Sequence, residues 1–146
     1  AAALATLVAT ERRAEAGNCS ALPGPVLVIE SGDTQEPMLK AMGRKLRDSA
    51  TPITILYKTT GTCTLTADVY NGTKIAQNAN LSYLPSTAED AAWTTALPSP
   101  TCTVDTVGGV SIDLGIGATF LTSCTTAPPK PAIGLNCTRQ RTAWPS

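Results

Sequence analysis

The stretch from Pro25 to Tyr57, PVLVIESGDTQEPMLKAMGRKLRDSATPITILY, decides the fold. PVLVIE, residues 25–30, is a continuous apolar run rich in β-branched residues, the pattern of a strand covered on both faces in a parallel sheet. SGDT breaks it. A helix is then expected over residues 35–48, with Met38, Ala41, Met42 and Leu46 on one face and Lys40, Arg44, Lys45 and Arg47 largely elsewhere. Thr34 or Asp33 can cap its start, because either side-chain oxygen accepts from the free N–H groups of a first turn. Pro37 falls in that turn, where a missing N–H costs nothing. Basic residues crowd the C-terminal half, which suits the helix dipole. PITILY, residues 52–57, reads as a second strand, and strand, helix and strand within about thirty residues make a βαβ unit. The fold class expected is α/β, a small mostly parallel sheet flanked by helices.

Working outward, residues 64–70 begin a second helix that ends at Asn71-Gly72. NLSYL, residues 80–84, reads as a short strand. STAEDAAW, residues 86–93, opens like a helix, with Ser86 as cap and Glu89 three residues on. Cys102–Val104 and Gly109–Leu114 read as short strands around the Gly108-Gly109 turn. From Ala127 neither period is present and Pro and Arg are frequent, so residues 125–146 read as an irregular tail. Residues 25–124 form the candidate domain. Residues 1–24 read as an export-signal remnant or an irregular segment. The opening AAALATLVAT is too short to span a membrane, so no direct membrane insertion is expected. Ala14-Glu15-Ala16 has the small-x-small form of a signal-peptidase site, and a short N-terminal helix is the other reading.

Composition narrows the function. The chain has 146 residues, 42% hydrophobic and 15% charged, which suits one domain with a core. Lys plus Arg and Asp plus Glu are 11 each, so no net positive charge draws it to nucleic acid or an acidic membrane. There is no histidine, which removes Ser-His and Cys-His catalysis and His-ligated zinc. An enzyme is therefore not expected, and no cofactor or metal site is read. The five cysteines, at 19, 63, 102, 124 and 137, lack CxxC spacing and read as disulfide partners in an oxidising compartment, periplasmic or extracellular. Cys102 and Cys124 flank a segment that the Gly108-Gly109 turn can fold back, and they are expected to pair.

Both strands of the βαβ unit end in small polar loops. In a parallel sheet those loops share the carboxyl edge, where open α/β folds bind ligands. Ser31, Gly32, Asp33 and Thr34 on one side, and Thr60, Gly61 and Thr62 on the other, can present hydroxyls and helix N-terminal N–H groups to one anion. Each loop also reads as an ordinary helix cap. Asp113, in SIDLGIG, either caps the next segment or accepts from a ligand hydroxyl. Cys63 reads as a disulfide partner, since no histidine is present to activate it.

PVLVIESGDTQEPMLKAM, ITILYKTTGTCTLTADVYNGT and VSIDLGIGATFLTSC resemble, in that order, the first lobe of phosphate-type substrate-binding proteins of ABC transporters. The resemblance implies part of one lobe of a type 2 periplasmic binding fold. It also implies a small oxyanion-like solute as ligand and a membrane transporter permease as partner. It carries ligand binding onto Ser31, Gly32, Asp33 and Thr34, onto Gly61, Thr62 and Cys63, and onto Asp113. The Ser-Asp pair of the third motif is Gly117-Ala118 here, which removes the aspartate that accepts the proton of bound hydrogen phosphate. The sequence ends after that motif, so the expectation is a partial lobe. The alternative is a secreted structural or protein-interaction module.

Overall fold

The computed structural model describes residues 17–118 and 123–124. The expected tail over 125–146, Cys137 and the first sixteen residues lie outside this range. β1 (Val26–Ser31) and β2 (Thr54–Thr59) are neighbouring parallel strands, paired from Val26 opposite Thr54 to Ser31 opposite Thr59. They are joined by α1 (Glu36–Arg47), so the βαβ unit is present as expected. α2 (Thr62–Asn71) follows, then β3 (Lys74–Ile75), β4 (Asn80–Tyr83), β5 (Thr101–Thr103), β6 (Val110–Ser111) and β7 (Leu114–Ile116). The main sheet has the order β5-β4-β2-β1-β7, and β3 pairs with β6 in a small second sheet.

The sheet is mixed rather than mostly parallel. β7 lies parallel to β1, whereas β4 is antiparallel to both β2 and β5. The cause is the path after α2. That helix ends on Gly72 (φ 63), with the Thr73 N–H donating to the Asp68 carbonyl and the Gly72 N–H to that of Val69, a left-handed cap. β3 and a second left-handed residue, Asn78 (φ 67), then turn the chain so that β4 enters beside β2 in the opposite sense.

Alternation along β1 and β2 sorts the core onto two faces. Ile29, Ile55 and Tyr57 pack with Leu39, Leu84 and Trp93 on the α1 side, and Val28 and Leu56 pack with Leu81, Cys102 and Val104 on the other. α1 does not dock through the face expected of it. Met38 and Met42 are 46% and 45% exposed, while Leu39, Gly43 and Arg47 are buried. Gly43 explains the difference, because a Cβ there would lie 1.9 Å from Leu84 Cδ1 and 3.3 Å from Ile55 Cδ1. The helix approaches through its smallest residue, which a count of apolar side chains overlooks. Its N-cap is Gln35, after a 3₁₀ turn over Asp33–Gln35, and neither Thr34 nor Asp33 caps it with a side chain.

The Ser86–Glu89 capping box forms, with the Ser86 N–H on Glu89 Oε2 (2.7 Å) and the Glu89 N–H on Ser86 Oγ (3.1 Å). No helix follows it. Asp90 Oδ1 takes the N–H groups of Ala92 and Trp93, and buried Trp93 donates Nε1 to the Pro98 carbonyl. Those local bonds replace the helical ladder.

Two disulfides brace the domain, Cys19–Cys102 and Cys63–Cys124. The expected Cys102–Cys124 pair is thus corrected. β5 and the segment following β7 lie at opposite edges of the main sheet, four strand spacings apart, roughly 19 Å at 4.8 Å each. Residues 17–24, set apart from the domain in the sequence reading, are laced to it by Cys19, by the Asn18–Thr103 bridge and by Arg47 donating to the Pro23 carbonyl. Among the described residues no helix is long and apolar enough to cross a membrane.

Gly43→Ala should destabilise the domain by about 1–3 kcal/mol through overpacking, partly offset by alanine's helix preference of roughly 0.8–1.0 kcal/mol. Urea unfolding should show a lower midpoint with an unchanged slope, and an unchanged midpoint would mean that Leu84 has room to move.

Candidate functional site

The carboxyl ends of β1, β2 and β7 meet at one edge. The Thr60 N–H donates to the Ser31 carbonyl (2.9 Å) and the Gly32 N–H to the Ile116 carbonyl (2.8 Å). Thr62 seats between two glycines, since a Cβ on Gly32 would lie 3.0 Å from its Oγ1 and one on Gly117 2.5 Å from its Cγ2. Gly32 and Thr62 are therefore brought together, as the strand order requires. α2 starts on Gly61 with no side-chain cap, so the first-turn N–H groups of Thr62, Cys63 and Thr64 have no side-chain acceptor there.

Other expected contributors are used differently. Ser31 is fully buried and its hydroxyl donates to the Gly32 carbonyl (3.0 Å). The Thr34 hydroxyl accepts from Gln35 Nε2 (3.3 Å), and Asp33 is exposed on the rim. Cys63 is tied to Cys124, so it offers only its backbone. Asp113 does not reach this edge. It precedes β7 at the level of Val28, three residues upstream of Ser31, and exchanges two bonds with that residue. Its N–H donates to the Val28 carbonyl (2.9 Å), and its Oδ2 accepts the Val28 N–H (2.8 Å). Neither reading left open for Asp113, a cap on the next segment or an acceptor for a ligand hydroxyl, describes its carboxylate, which clamps the backbone of β1.

A second constellation lies on the α2 side of the sheet. Glu30, one residue before the loop edge, is fully buried, and neither of its carboxyl oxygens has a hydrogen-bond partner among the described residues. Lys58, its cross-strand neighbour, places Nζ 3.5 Å from Oε1. Burial pushes the Glu30 carboxyl above the ordinary carboxylate value, the Asp68 carboxylate pushes it further, and the Lys58 ammonium works against both. Glu30, Lys58, Asp68 and Lys74 line a cavity of about 350 Å³ whose apolar wall includes Ile75, Ala79 and Ile112. The sequence reading passed over these residues. The available signal was that two otherwise apolar strands each end in a single charge, Glu30 and Lys58, of opposite sign.

Among the described residues no group of three or more His, Cys, Asp or Glu could hold a metal ion. Comparison of the chain with protein-family models, curated proteins and solved structures finds no match.

Because the folded carboxyl of Glu30 lies above its ordinary 4.5, the native state holds the proton more tightly than the unfolded chain. Its contribution to stability is greatest below 4.5 and falls as pH rises through the folded value. Glu30→Gln removes that fall. In urea unfolding between about pH 4 and about pH 8, the stability of Glu30→Gln relative to the wild type should grow with pH. A constant difference would place Glu30 outside the buried site.

Proposed function

We propose that this chain is an exported solute-binding module that holds a small oxyanion-like solute at the carboxyl edge of β1, β2 and β7. The reading makes it comparable to the oxyanion-binding component of an ABC transporter. The observation that carries it is the seat formed by Gly32, Thr62 and Gly117 beside the uncapped first turn of α2. The two glycines make room for the Thr62 side chain at this edge, and the helix N-terminus contributes N–H groups with a positive dipole end. Thr62 supplies a hydroxyl that donates without bringing charge. The motif order shared with phosphate-type binding proteins agrees with this edge as the ligand site, and the two disulfides suit an oxidising compartment. With Gly117-Ala118 in place of Ser-Asp, a fully deprotonated oxyanion suits the edge better than hydrogen phosphate does.

A protein-interaction module is the second reading. It is favoured by β7, which pairs with β1 alone among the described strands and leaves Leu114 44% exposed at an edge open to strand addition.

Calorimetry with sulfate and phosphate tests the first reading. Thr62→Val removes one hydroxyl donor at nearly constant shape and should weaken anion binding by roughly 0.5–3 kcal/mol. Asp33→Asn removes a rim charge of the wrong sign and should tighten it. Equal affinity in wild type and Thr62→Val would remove Thr62 from the site, and no binding by the wild type would favour the interaction module.

A further inference from the structure

The cavity beside Glu30 is separate from the loop edge and has its own chemistry. We propose that it binds an aliphatic amino acid as the zwitterion, with the ligand ammonium on Glu30 and Asp68, its carboxylate on Lys58, and its side chain against Ile75 and Ile112.

Three observations converge on that class. Glu30 is completely buried, lines the cavity, and has two carboxyl oxygens without hydrogen-bond partners among the described residues. The one cation beside it, the Lys58 ammonium, stands 3.5 Å from Oε1 without closing a hydrogen bond, and a ligand ammonium brings three N–H donors with the charge that a carboxylate needs. Asp68 faces the same space from α2, so a ligand head there meets two carboxyl groups, which opposes an anion. A metal ion is a poor fit, because the pair falls short of the three acidic, His or Cys ligands that such a site calls for.

Lys58 separates a zwitterion from a simple amine. Its ammonium stands 3.5 Å from Glu30 Oε1, and its side chain is 48% exposed, so the head can swing outward. An amine that displaced it would leave the lysine without its partner. A zwitterion gives it a new one, replacing the Lys58–Glu30 pair by three, ammonium to Glu30, ammonium to Asp68 and carboxylate to Lys58. Lys74 also lines the cavity and adds positive charge on the side of β3. Volume and wall set the rest of the ligand. About 350 Å³ lies at the small end of ligand pockets, and Ile75, Ala76, Ala79 and Ile112 offer an apolar surface to an aliphatic side chain.

The test is calorimetry on the full, oxidised chain with L-leucine, isopentylamine and 4-methylpentanoate, which keep both charges, the amine alone and the acid alone. Leucine should bind, with the amine and the acid each at least tenfold weaker. Glu30→Gln and Asp68→Asn should each weaken leucine binding at least tenfold, while Thr62→Val should leave it unchanged and act only on sulfate. Two variants on different elements guard against a folding defect in either one, and circular dichroism checks both. The proposal is overturned if leucine gives no binding at millimolar concentration, if isopentylamine binds as tightly as leucine, or if both carboxyl variants retain full affinity. Loss of the sulfate response alone leaves the leucine result readable, so failure at the loop edge and failure at the cavity are distinguishable.

Discussion

The parallel register of β1 and β2 is the constraint on which the other features depend. Six consecutive residue pairs fix it, from Val26 opposite Thr54 to Ser31 opposite Thr59. It brings Gly32 and Thr62 to one edge, puts Glu30 beside Lys58, and sends Ile29, Ile55 and Tyr57 towards α1. A slip of one residue would turn every side chain of a strand to the opposite face. Glu30 would then enter the α1 core, and Ile29 would replace it in the cavity. Few sequences tolerate both outcomes, so register and burial support each other.

Around that pair the domain is closed by contacts distant in sequence. Tyr57 is buried, its hydroxyl 2.9 Å from Glu36 Oε1 and 2.8 Å from Ser99 Oγ, and burial pushes its phenol up to about 12. This holds the loop before β5 against α1. Arg47 reaches Glu89 and the Pro23 carbonyl from the same helix. Hydrogen bonds from the Ser86 N–H and from Arg47 hold the Glu89 carboxyl below its ordinary value, although desolvation, the largest single influence, acts the other way. Cys19–Cys102 fastens the N-terminal turn to β5, and Cys63–Cys124 fastens α2 to the segment after β7. The disulfides thus secure two edges that strand pairing leaves open.

What could be read from sequence divides along physical lines. The βαβ unit was legible because its signals are local: two β-branched runs, turn residues, and a proline in the first helical turn. The close approach of the Gly32 and Thr62 loops followed from strand order alone. The antiparallel entry of β4 was hidden, since it depends on left-handed Gly72 and Asn78. The docking face of α1 was misjudged because Gly43 contributes space rather than apolar area. The helix expected after Ser86 failed because Asp90 offers its carboxylate to the N–H groups of Ala92 and Trp93, a competition that a capping-box pattern does not register. The disulfide partners required the sheet order. Glu30 reads only as the last residue of the apolar run PVLVIE, and only the register shows which neighbours bury it.

Trans-hydrogen-bond scalar couplings measured by NMR on the isotopically labelled protein test the register most directly. The pairing predicts a coupling from the Thr54 amide nitrogen to the Pro25 carbonyl carbon and from the Thr60 amide nitrogen to the Ser31 carbonyl carbon, across hydrogen bonds of 2.8 and 2.9 Å. Coupling of Thr60 to any other carbonyl, or an antiparallel pattern between the strands, would contradict the register and remove the basis for both sites.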